Sequence, residues 1–152
     1  MQFRDLKKQY EVLKNDIDAG ISEVLASAKF ISGPQVKELE QKLAEYVGVK
    51  HCITCANGTD AITLAMMTWG VKEGDAVFVP DFTFFSSGEC PAFEGATPIY
   101  VDVDQRTFNL DAVKLEEAIL KVKAEGKYTP KAVVAVDLFG LPVDYKAIKP
   151  VC

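Results

Sequence analysis

The sequence predicts an α/β fold with a largely parallel sheet. Short, continuous apolar runs at 76–80 (AVFVP), 98–103 (PIYVDV) and 131–138 (KAVVAVDL) read as strands covered on both faces. Between them lie stretches whose apolar residues recur at steps of three and four, the spacing of amphipathic helices. Helices alternating with buried strands point to one mostly parallel sheet with helices on both faces.

From the N-terminus, residues 5–27 carry Leu6, Tyr10, Leu13, Ile17, Ile21, Val24 and Leu25 as a single stripe, which predicts a long helix. Ser32 and Gln35 have the spacing of a capping box, and Pro34 suits a first helical turn. The helix they open shows Val36, Leu39, Leu43 and Tyr46 on one side and stops at Gly48. Residues 51–54 (HCIT) are rich in β-formers and read as a buried strand.

The turn that follows, Cys55-Ala56-Asn57-Gly58-Thr59-Asp60, leads into an apolar helix that ends at Gly70. Small and hydroxyl-bearing residues at a helix N-terminus leave N–H groups free for an anion, most often a phosphate. The same residues also cap helices that bind nothing, and the turn alone leaves both readings open.

After the strand at 76–80 comes 82–87 (FTFFSS), three phenylalanines beside two serines; packing in a core is the simplest role for the aromatics. Ser86 and Glu89 fit a capping box that Pro91 would disturb. A helix is expected from 111 to 123 with Val113, Leu115, Ile119 and Val122 inward, and another is expected to begin at Asp144. In open parallel sheets ligands lie beyond the C-terminal ends of the strands. The Asn57 turn, the 82–87 segment and the Phe139 turn all follow strands, so they are expected to meet at one rim.

Composition narrows the function. The 152 residues suffice for one domain with a core, 49% are hydrophobic, and no run approaches the ~20 apolar residues of a membrane span. The first residues lack the apolar core of a secretory signal, so a cytoplasmic protein is expected. A net charge of −5 with scattered basic residues argues against nucleic acid as partner. Cys52 and Cys55 form a C-x-x-C, but His51 is the only histidine and the pair falls on the expected strand. They read as small buried hydrophobes, with no metal site. The glycine fingerprints of dinucleotide and P-loop sites and the G-x-S-x-G elbow are all absent.

Several segments, in order and almost end to end, resemble the DegT/StrS family of pyridoxal-phosphate-dependent sugar aminotransferases. They are Phe30-Ile31-Ser32-Gly33-Pro34 with Glu38-Leu39-Glu40, then Ala56-Asn57-Gly58-Thr59-Asp60-Ala61, Pro80-x-x-Thr83-Phe84, Val101-Asp102-Val103-Asp104 and Leu138-Phe139-Gly140. The resemblance implies an aspartate-aminotransferase-like large domain (fold type I) with a mostly parallel sheet. It implies pyridoxal 5'-phosphate as cofactor, a nucleotide-linked keto sugar as substrate, glutamate as amino donor and a homodimer. By position, Gly58, Thr59 and Asp60 would hold the cofactor phosphate through backbone N–H groups, Thr59 adding its hydroxyl, and Phe84 would stack on the pyridine ring. Phe82 and Phe85 would remain core. Ser32, Gly33 and the segment near Phe3 would lie toward the substrate.

The family's Schiff-base lysine, and the aspartate paired with its pyridine nitrogen, follow the point where this sequence ends. The resemblance therefore implies that residues 1–152 are the N-terminal portion of the large domain, without its remainder or the C-terminal small domain, and are inactive alone. Two alternatives keep the fold: a sugar dehydratase with histidine in place of the lysine, and a non-catalytic cofactor-binding regulator.

Overall fold

A computed structural model describes residues 4–152, which divide into two units with the boundary between Thr54 and Cys55. The first holds helices α1 (Leu6–Ser27) and α2 (Pro34–Val47). Asp5 caps α1 by accepting the Lys8 N–H, and the helix closes at Ala28 in a left-handed conformation. The periodicity makes the helix, but its apolar stripe is not buried: α1 contains no buried residue.

At α2 the expected capping box does not form. Gly33 is the N-cap and no side chain caps it, because Ser32 lies one residue too early, in the left-handed region (φ 48°). Pro34 occupies the first turn as expected, and Gly48 ends the helix with φ 76°.

Residues 51–54 form no strand among the described residues, and Ile53 is exposed. The β-formers are present, but no neighbouring strand pairs with them, and a lone strand has no ladder to hold it. Cys52 is half-buried and Cys55 exposed, so the buried reading of this pair fails as well.

The second unit is a three-stranded parallel sheet ordered β2-β1-β3, from β1 (Asp75–Pro80), β2 (Thr97–Val101) and β3 (Thr129–Val133). Its helices are α3 (Gly58–Thr68), α4 (Ser86–Phe93), α5 (Ala112–Glu125) and α6 (Tyr145–Ile148). Every residue of β1 is buried, and its side chains alternate between two cores. Ala76 and Phe78 pack with Val101, Leu115, Ile119, Val122 and Ile148. Val77 and Val79 pack with Met66, Val71 and Ala96. Burying each large apolar side chain contributes about 1.5–3 kcal/mol, which makes β1 the axis of the unit.

The two flanking strands each carry a proline within them, Pro98 and Pro130, whereas the central strand has its proline, Pro80, only at its last position. At Pro130 the register with β1 shifts, so that Ala76 faces Pro130 and Val77 faces Ala132. β3 starts earlier and ends sooner than the apolar run 131–138 suggests, although the Val134 N–H still reaches the Phe78 carbonyl at 2.8 Å. The expected inward face of α5 holds except at Val113, which is exposed near the Asp111 cap.

Candidate functional site

The N-terminus of α3 is built by Asn57. Its extended backbone (φ −163°) turns the chain into the helix, and its Oδ1 accepts the Asp60 N–H at 2.9 Å. The Asn57 Nδ2 donates to Asp60 Oδ2 at 3.0 Å, and the Ala61 N–H reaches the Asn57 carbonyl at 3.1 Å. Of the first-turn donors, those of Asp60 and Ala61 are therefore engaged. The N–H groups of Gly58 and Thr59 have no protein acceptor among the described residues. They remain at the positive end of the helix dipole, the arrangement that binds anions.

Thr59 is held from behind. Its carbonyl accepts from Thr63 Oγ1 at 3.0 Å and from Cys90 Sγ at 3.4 Å, and Cys90 is fully buried on α4. Gly58 is neither in the left-handed region nor crowded: a Cβ there would meet nothing within 4 Å. Neither backbone conformation nor packing among these residues demands glycine. The Asp60 N–H, one of the three expected donors, serves the cap instead, so Asp60 acts here by fixing the turn.

Phe84 lies in the loop between β1 and α4. The Ser87 N–H binds its carbonyl at 3.1 Å, and Thr83 Oγ1 meets Ser87 Oγ at 3.0 Å, so the loop is tied to the first turn of α4. Ser86 does not cap that helix; Phe85 is the N-cap residue and no side chain caps it. The Phe84 ring is 76% exposed and enters none of the aromatic pairs. Phe82 and Phe85 are not core: both are exposed, because they lie past the last residue of β1 where no sheet face covers them. Phe82 instead meets Phe108 (centroids 5.4 Å apart) and Phe139 (6.5 Å), and these two lie 6.3 Å apart. Loops following all three strands thus meet at the C-terminal rim, with Phe108 as the member that the sequence did not announce.

In the first unit, Ser32 and Gly33 line an open hollow of about 620 Å³ together with Phe30, Ile31 and Lys37. Gly33 has a structural reason of its own, since a Cβ there would stand 2.5 Å from the Lys29 carbonyl oxygen. Phe3 lies outside the described residues. Glu40 accepts both the N–H and the hydroxyl of Thr54 at 2.9 Å, contacts that hold its carboxyl below the usual range. Among the described residues no group of three or more His, Cys, Asp or Glu side chains could hold a metal ion, and no helix is long and apolar enough to cross a membrane.

A model of the DegT/DnrJ/EryC1/StrS aminotransferase family matches residues 11–152. The chain belongs to that family. It is 46% identical over 153 residues to a UDP-2-acetamido-2-deoxy-3-oxo-D-glucuronate aminotransferase of Pseudomonas aeruginosa, across 99% of this chain and 40% of that protein. It superposes with a TM-score of 0.96 and 48% identity on a DegT DnrJ EryC1 StrS aminotransferase from Brucella abortus, covering 99% of this chain and 40% of that one. The PLP form of a putative sugar aminotransferase, Spr1654 from Streptococcus pneumoniae, matches 88% of this chain and 33% of its own, with 31% identity and a TM-score of 0.76. The chain spans about 40% of the length of the curated relatives it matches. Membership gives the parallel α/β unit its place within the fold of pyridoxal-phosphate aminotransferases.

Proposed function

We propose that the protein is a pyridoxal-phosphate-dependent aminotransferase that places an amino group on a keto carbon of a nucleotide-linked sugar, with glutamate as donor. Family membership and the activity named for the Pseudomonas aeruginosa relative support this reading. The observation that carries it in the chain itself is the pair of unengaged N–H groups at Gly58 and Thr59, beside a glycine that no local contact requires. A phosphate dianion fits that place, with the Thr59 hydroxyl as a further donor.

In this reading Asn57 and Asp60 preset the turn, so that the two N–H groups stand ready before the ligand arrives. Phe84 offers a flat apolar face against the pyridine ring, which fixes the ring's tilt and keeps water from that side. When bound, pyridoxal phosphate supplies an electron sink for the carbon that loses or gains the amino group. No residue of the described chain is assigned the covalent lysine. Ser32 and Gly33 are placed toward the substrate, and the working protein is a cytoplasmic homodimer.

The test is direct. The intact protein is titrated with pyridoxal phosphate, followed by its visible absorbance and by loss of that absorbance on borohydride reduction. It is then supplied with glutamate and a UDP-linked 3-keto sugar while 2-oxoglutarate is measured. A protein that binds no cofactor, or binds it and forms no amino sugar, would overturn the proposal.

A further inference from the structure

Asn109 is 6% exposed, and its amide bridges to a segment some thirty residues away. Nδ2 donates to the carbonyls of Leu141 (2.9 Å) and Pro142 (3.3 Å), and Oδ1 accepts the Leu138 N–H (3.2 Å), which the Val136 carbonyl shares at 2.9 Å. An amide is the side chain that meets both demands at once, since it donates and accepts in one plane. The segment it grips contains Phe139, whose backbone is left-handed (φ 56°) although the residue is bulky. That conformation is unfavourable for a bulky L-residue, and Phe139 is 81% exposed, so burial does little to hold it. The Asn109 hydrogen bonds join those of Asp137, which accepts the Gly140 and Val143 N–H groups, in supplying what burial does not. Their result is a ring set against Phe108 and Phe82 at the C-terminal rim.

We propose that Asn109 is a positioning residue that pins the loop 138–142 to the loop after β2 and so fixes Phe139 on the rim where substrate enters. The structural half stands on these contacts alone; the substrate half rests on the aminotransferase reading above. Asn109 makes no contact with Gly58, Thr59 or Phe84 among its hydrogen bonds, so its effect falls on substrate saturation and leaves cofactor retention alone.

Asn109→Asp tests the bond pattern without changing shape. At about pH 8 the carboxylate faces two carbonyl oxygens and can donate to neither; at a pH low enough to protonate it, it can donate to Leu141 and still accept from Leu138. In the intact protein, hydrogen exchange at the Leu138 and Leu141 amides, which report opening of the gripped loop, is expected to be roughly tenfold faster than wild type at the higher pH and to approach wild type at the lower. Asn109→Ala should exchange faster at both. With a nucleotide-linked keto sugar, Asn109→Ala should raise KM roughly tenfold at unchanged cofactor absorbance.

Exchange in Asn109→Asp that matches wild type at about pH 8 would overturn the proposal. So would a wild-type Leu138 amide exchanging as freely as an unbonded loop amide, a measurement that needs no variant to fold. A mobile loop with unchanged KM overturns the substrate half. Absence of transamination in the wild type counts against the aminotransferase reading and leaves the exchange result to decide the positioning role.

Discussion

Asn57 and Asp60 are joined twice, by the Asp60 N–H on Asn57 Oδ1 at 2.9 Å and by Asn57 Nδ2 on Asp60 Oδ2 at 3.0 Å. The pair closes the first turn of α3 while leaving the two preceding N–H groups unengaged. Replacing Asn57 by Ala removes both bonds. The expected loss is about 1 kcal/mol, read as a lower urea midpoint, together with weaker pyridoxal phosphate binding.

Gly58→Ala separates binding from stability. The backbone there is helical and a Cβ meets nothing within 4 Å, so stability should be unchanged or higher by up to about 1 kcal/mol. Cofactor affinity should fall, because the added methyl stands where the phosphate approaches. Thermal melting of the apoprotein and a cofactor titration measure the two effects; a loss of stability without loss of affinity would reassign Gly58 to the fold.

Phe84 and Phe82 should behave differently. Phe84→Ala is expected to weaken cofactor retention roughly tenfold, as loss of one aromatic stacking contact does. Phe82→Ala should leave retention nearly intact, since that ring is engaged with Phe108 and Phe139. Equal effects in dialysis followed by absorbance would mean that the stacking ring is misassigned.

Gly33→Ala should destabilise by about 1–3 kcal/mol, because the new methyl would stand 2.5 Å from a main-chain oxygen that no side-chain rotation can move. Circular dichroism during urea unfolding measures it. A variant as stable as wild type would show that the turn 29–33 yields to the added atom.

Acid should loosen the loop that carries Phe108. The N–H groups of Arg106 and Thr107 hold the Asp104 carboxyl below its usual value of 3.8. A lowered value means that the stabilisation is present above the unfolded value and disappears as pH falls through the folded one. The Arg106 and Thr107 amide resonances should therefore shift below about pH 4, and Asp104→Asn should abolish that titration.

Much of this was legible in local signals. The run 76–80 announced a strand buried on both faces, Pro34 and Gly48 bounded α2, and Asp144 capped the short helix it was expected to begin. What escaped depended on partners distant in sequence. Residues 51–54 have strand-like composition and no strand to pair with. The register of β3 against β1 shifts just after Pro130, which an apolar run does not reveal. Phe82 and Phe85, expected inside, sit exposed beyond the end of β1, because hydrophobicity does not tell a core position from a rim position. In the candidate site, the turn and Phe84 were readable as motifs. That Asp60 would engage its own N–H, and that Asn109 would clasp a loop some thirty residues on, follow only from the folded chain.

The two-sided burial of β1 leaves hydrophobic patterning unable to choose its alignment, since an apolar residue faces a core whichever way the strand slips. Size makes the choice instead. Ala76 and Phe78 belong to one core, Val77 and Val79 to the other, and a single-residue deletion before Ala76 would drive the phenyl ring into space shaped for isopropyl groups while opening a void opposite. The strand works as an asymmetric gauge between two layers, and its one large ring sets the alignment.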